Sequence, residues 1–236
     1  TAEWLGLFAD TLPRDTFERV RVLDEIIASL STREEVETIL SFVRDGDKEG
    51  LYQLFERRAR NHENGQVCWQ LRSFRGIRNS VNAYGILDSE RSAPFYRSLL
   101  GGQTPNERAV GIYAVGELRV VAAFAELVAV EPAHDENCFV ASSVLIALGK
   151  LGTTEALDEV VRRLLAGLGD KRMLSTARFV LYERCGRPGA SPRGTWENGT
   201  WVTVAGDPGA AGARFVQALN GAAENVADEA QASGLR

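Results

Sequence analysis

One feature constrains this chain more than any other: a self-similarity at fixed spacing. The segment AVGELRVVAAFAEL (residues 114–127) aligns with ALGKLGTTEALDEV (residues 147–160). Gly116 falls on Gly149, Leu118 on Leu151, Ala123 on Ala156 and Phe124 on Leu157, a constant offset of 33 residues. One further step lands on VLYER (180–184), where Tyr182 replaces the glycine; one step back, AYGIL (83–87) matches at slightly shorter spacing. In each copy a helix closes at the glycine-containing turn and a second helix opens within a few residues. Such a pair cannot bury its apolar face alone, so neighbouring pairs must stack.

Helical periodicity extends on both sides of these copies. Helices are expected over residues 2–10 and across DTFERVRVLDEIIASL, where Phe17, Val20, Leu23, Ile27 and Leu30 share a face. The STREE segment carries a capping box, and its helix is expected to reach about Arg44. DGDKEG reads as a tight turn into LYQLFERRAR. A longer helix over about 65–85 and a shorter one over APFYRSLL follow. The pattern breaks at GRPGASPRGTWENGTWVTVAGDPG (186–209), where Pro188 and Pro192 forbid the next partner helix. Asn198-Gly199 is the favoured two-residue hairpin turn, and it sets Trp196 opposite Trp201. A final helix is expected over about 208–230, opening at Asp207-Pro208. The chain thus reads as one continuous domain in four parts: 1–103 with degenerate repeats, 104–185 with clear ones, the 186–207 loop or hairpin, and the 208–236 helix.

The segment ALGKLGTTEALDEVVRRLL, with its A-L-G-x-L-G-x-x-x-A-L core, resembles the short HEAT-like repeat of bacterial lyase-type proteins. RAVGIYAVGELRVVAAFAELV is a second copy. The resemblance implies an all-α fold: a right-handed α-solenoid of HEAT-like helix pairs, with a small β-hairpin insertion near 195–204. It bears on architecture and leaves activity open, because such solenoids serve as scaffolds, lyases and DNA glycosylases alike.

Departures from the repeat are where function is sought. The column three residues before the glycine, outward-facing and polar in such repeats, holds Tyr113, Ile146 and Phe179. Stacking would join them into an apolar stripe that suits a protein partner, a second subunit or the chain's own C-terminal segment; bending of the superhelix would instead make the column ordinary core. Trp196 and Trp201 are further interface candidates, as a cap on the helical array or a lid. The second departure is ERRARNHENGQVCWQLRSFRGIRNS. Arg78 falls within the apolar stripe of its helix, where a charge must find a carboxylate, carbonyls or an anionic ligand. Arg72, Arg75, Asn79 and Asn82 flank it, with Arg57 and Arg58 on the preceding helix and Trp69 between. The candidate chemistry is an anion site built from arginine forks; the competing reading is a salt-bridge network between helices.

Composition narrows the classes. The net charge of −5 disfavours a nucleic-acid partner. Arg outnumbers Lys 24 to 3, a bias that fits a GC-rich bacterial genome as well as any chemistry. Three dispersed cysteines argue for a reducing cytoplasm, and no apolar run reaches the ~18 residues of a membrane span. The two histidines, His62 and His134, are far apart and read as surface or capping residues, and no metal site or cofactor is expected. The function expected is a protein-interaction module acting through its groove and apolar stripe, with a protein partner or a homo-oligomer. The alternatives are a small-molecule enzyme of specialised metabolism that holds an anionic substrate through arginines, and a base-excision or resistance protein like the alkylpurine DNA glycosylases.

Overall fold

A computed structural model describes residues 8, 11–60, 72–130, 138–166, 176, 180, 194–197 and 200–203. The described residues are mostly helical and divide into two compact units, Thr1–Leu118 and Arg119–Arg236. No described helix is long and apolar enough to cross a membrane.

The first unit contains α1 (Thr16–Ser29), α2 (Arg33–Leu40), α3 (Asp45–Arg60), α4 (Arg72–Leu87), α5 (Ser89–Ser98), a 3-10 turn (Leu99–Gly101) and α6 (Pro105–Glu117). Local chemistry explains where these helices start. Asp15 accepts a hydrogen bond from the Glu18 amide at 3.0 Å, and Asp88 accepts one from the Arg91 amide at 2.9 Å. Thr32 with Glu35, and Thr104 with Glu107, form complete capping boxes, the second followed by Pro105 at the first helical position. Three expectations are corrected. DGDKEG is the start of α3 and not a turn: Asp45 and Asp47 sit in its first turn, where carboxylates complement the helix dipole. The preceding helix ends at Leu40, four residues early, in a turn at residues 41–44 whose Arg44 amide donates to Asp47 Oδ2 at 3.0 Å. The helix expected over APFYRSLL begins at Ser89, because Asp88 caps it there.

Leu23, Ile27, Val36, Leu51, Phe55, Val81, Tyr84, Tyr96 and Val110 form the fully buried centre of this unit. Of the face expected on α1, Leu23 and Ile27 are fully buried, whereas Phe17 is 73% exposed. At about 100° per residue Phe17 lies about 100° from the centre of that stripe, beyond its edge. Arg19 pairs with Asp47, Val20 abuts Gly50, and Asp24 pairs with Arg58. These contacts advance together along α1 and α3, so the two helices run side by side in the same sense.

The second unit contains a 3-10 turn (Val121–Ala123), α7 (Phe124–Ala129), α8 (Cys138–Leu151), α9 (Thr154–Ala166), and strands β1 (Gly194–Glu197) and β2 (Thr200–Thr203). Val144, Leu145, Leu148, Ala156, Val160 and Val180 are buried. Arg163 Nη2 donates to the Val128 carbonyl at 2.7 Å, tying α9 to the end of α7. β1 and β2 pair antiparallel, with Trp196 opposite Trp201. The Asn198-Gly199 turn and the helices expected over 2–10 (Phe8 apart) and 208–230 lie outside the described residues.

Within each unit a repeat glycine meets the next copy. A Cβ on Gly85 would collide with Leu118 Cδ2, and one on Gly149 with Val180 Cγ1. The glycine therefore allows an apolar side chain from the following copy to approach the helix backbone directly.

Two glycine substitutions separate packing from propensity. A Cβ on Gly111 would lie 2.9 Å from the Leu100 amide nitrogen and the Leu99 carbonyl carbon, backbone atoms that cannot swing aside. Gly111→Ala is expected to destabilise the first unit by about 1–3 kcal/mol despite alanine's better helix propensity. Gly46 has nothing within 4 Å, so Gly46→Ala should be neutral or stabilising by up to about 1 kcal/mol. Thermal unfolding of the two variants should move the midpoint in opposite directions or leave the second unchanged.

Candidate functional site

The arginine flank is largely absorbed by the fold of the first unit. Arg58 on α3 donates from Nη1 to Asp24 Oδ1 of α1 at 2.8 Å and from Nη2 to Asp24 Oδ2, a bidentate fork, while Nη1 also reaches Ser80 Oγ of α4. Three helices thus meet at one guanidinium. Arg78 is half-buried and donates from Nη2 to the Ser31 carbonyl at 3.0 Å, a carbonyl being one of the three partners expected for it. Asn79 donates to the carbonyls of Ile27 at 2.9 Å and Leu30 at 2.8 Å, so it caps the C-terminal end of α1 from a neighbouring helix. Asn82 is buried, with Oδ1 lacking a hydrogen-bond partner among the described residues. Arg75 is exposed and electrostatically coupled to Glu35. Of Arg72 the backbone alone is described, and Trp69 lies outside the described residues.

Arg57 is exposed and makes no ion pair among the described residues. It borders a shallow recess of about 240 Å³ together with Asp24, Leu54 and Arg58. Arg58 is already neutralised there by Asp24, and Arg57 sits in the last turn of α3, where the helix dipole favours a cation. The recess is thus a weak attractor for an anion.

A second constellation has no counterpart in the sequence reading. Arg91 of α5 holds Glu49 of α3 with Nη1–Oε2 at 2.5 Å and Nη2–Oε1 at 3.2 Å, and its Nε lies 3.5 Å from Glu56 Oε1. The same guanidinium sits 4.9 Å from the ring centre of Tyr52, which stacks on Tyr84 at 5.0 Å. Tyr84 donates its hydroxyl to Glu56, and Tyr96 packs edge-on at 5.9 Å. Burial, then the bond to Glu56, pushes the Tyr84 hydroxyl well above its ordinary pKa; burial does the same for Tyr96 and Tyr113. The signal lay in the sequence as Glu49, Tyr52 and Glu56 at helical spacing. Their partners on two other helices left no local trace.

The interface candidates fall in different places. Tyr113 is 7% exposed and belongs to the core of the first unit, next to Tyr96 and Glu117 electrostatically. It is therefore core and not an outward-facing contact: α6 is covered on several sides, with residues 109 to 116 all buried. Ile146 on α8 of the second unit is half-buried between Leu145 and Ala147, both buried. Phe179 lies outside the described residues, and for Trp196 and Trp201 the backbone pairing alone is described. His62 and His134 are also outside them, and no group of three His, Cys, Asp or Glu suited to a metal occurs among the described residues.

The two clear repeat copies differ at the turn after the glycine helix. Gly152 has φ 67°, the left-handed region that glycine enters without steric cost. The equivalent position in the first copy is Arg119, with φ 52°. Arg119 is exposed, and Val121 two residues on is 51% exposed.

No family model, curated protein or solved structure matches this chain.

Burial sorts the ion pairs. Arg19 and Asp47 are 4% and 2% exposed, whereas Arg91 and Glu49 are 37% and 60% exposed. Asp47→Ala leaves Arg19 buried and unpaired and is expected to cost about 3–5 kcal/mol. Glu49→Ala should leave the melting temperature nearly unchanged. The tyrosines give a pH prediction. A hydroxyl whose pKa is raised in the folded state contributes stability that is intact below its ordinary value of 10.0 and lost as pH rises beyond it. Above pH 10.0, helicity and tyrosinate absorbance should change together in one cooperative step. Smooth ionisation of all tyrosines with helicity intact would contradict the packing of Tyr84, Tyr96 and Tyr113.

Proposed function

We propose that this chain is a HEAT-like helical-repeat module that binds another protein, or a second copy of itself, along the surface made by its stacked helix pairs. The observation that carries the reading is the repeat-glycine contact. Gly85 is closed over by Leu118, and Gly149 by Val180, each an apolar residue from the next copy. That contact supports stacking of successive pairs into a right-handed α-solenoid, with the paired strands near 195–204 as an insertion where a helix was due. The same-sense run of α1 and α3 supports it too, because alternate helices of a solenoid are parallel. Stacked pairs of this kind create extended concave surfaces, the usual binding face of such arrays.

The interface is assigned to the second unit, at Ile146. This residue stays half-exposed in a helix segment whose neighbours Val144, Leu145, Ala147 and Leu148 are all buried. The reading as an enzyme for anionic substrates has less support, because Arg58, Arg78 and Asn79 commit hydrogen bonds to α1, the α1–α2 turn and α4.

The test is retention of a defined partner, or self-association, by the full chain at micromolar concentration. Ile146→Asp should weaken that association at least about ten-fold, as expected for a central apolar contact. Its helical circular dichroism should match the parent chain. Association that survives Ile146→Asp with helicity intact would remove Ile146 from the interface.

A further inference from the structure

We propose that the turn following α6 docks an acidic segment of a protein partner through Arg119 and Val121; the inference rests on the interaction-module reading above. The comparison of the two repeat copies carries it. Both copies turn through a left-handed residue, φ 52° at Arg119 and φ 67° at Gly152. Glycine takes that conformation freely, whereas a residue with a Cβ is strained there. The first copy thus holds an arginine where the second has the residue suited to the backbone, and strain of this kind points to a role for the side chain.

The second unit gives that side chain a firm base, because Ala123, four residues on, is fully buried. Arg119 is exposed and makes no ion pair or hydrogen bond through its side chain among the described residues, and Val121 is 51% exposed. The equivalents of Arg119 and Val121 in the second copy are Gly152 and Thr154, positions that offer neither a cation nor an aliphatic group. The dipole at the C-terminal end of α6 favours a cation nearby, but a cation within the last turn would meet that preference with no left-handed residue. A guanidinium fork beside an aliphatic side chain fits a carboxylate flanked by an apolar residue, the pattern of an acidic amphipathic segment.

The experiment titrates the isotope-labelled full chain with a synthetic peptide of alternating glutamate and leucine, and with a lysine–leucine peptide as control. The acidic peptide alone should shift the backbone amides of residues 118–123 saturably. Arg119→Gly should weaken that binding about five-fold or more, as loss of a charge-assisted fork does, while its melting temperature stays level or rises because the left-handed strain is gone. Arg119→Lys should keep part of the binding. The proposal is overturned by an acidic peptide that leaves these amides unmoved, by equal binding of both peptides, by undiminished binding to Arg119→Gly, or by a fall in that variant's melting temperature. Retention of the partner lost in Ile146→Asp is read separately: if Arg119→Gly keeps it, the interaction module stands and the docking turn does not.

Discussion

Close approach between helices is the constraint on which the rest of this structure depends. No helix here can cover its own apolar face, so each must press a neighbour near its backbone. Glycine makes that possible at defined points: Val20 against Gly50, Leu99 and Leu100 against Gly111, Leu118 against Gly85 and Val180 against Gly149. Each contact lies within one of the two compact units. The aromatic cluster of Tyr52, Phe55, Tyr84, Phe95 and Tyr96 fills the space that such contacts leave between α3, α4 and α5.

Polar groups then follow the packing. Once α1 and α3 lie side by side, Arg19 meets Asp47 and Arg58 meets Asp24, and a charge without such a partner would be costly at these depths. Asn79 performs a different task with the same economy, satisfying carbonyls at the end of α1 that no residue of α1 can reach. The arginine-rich stretch thus owes much of its character to holding three helices together. Among its described residues Arg57, Arg60 and Arg75 stay exposed to solvent. Arg119 differs from these, because it holds the left-handed conformation that glycine holds in the second copy.

The local grammar was legible. STREE and Thr104 with Glu107 were written within three or four residues, and so were the helix starts they produced. The repeat spacing of 33 was equally open to inspection, and so was the recurrence of the glycine within it. DGDKEG misled because glycine and aspartate favour turns in isolation, while Asp45 and Asp47 at a helix start and Val20 over Gly50 reward a helix instead. The column of Tyr113 left two readings open, outward-facing or core, and for Tyr113 the core one holds because α6 is covered around most of its circumference.

The sequence by itself determined the helical content, the caps and the recurrence of the glycine, because each depends on residues a few positions apart or on a regular period. Tertiary structure alone decided which charged residues are structural. Arg58 finds Asp24 across 34 residues and Asn79 finds Ile27 across 52, and such proximity follows from how helices pack. It also decided that the left-handed turn of the first copy falls on an exposed arginine. A residue's conformation there is set by the helix pair it joins, whatever side chain it carries.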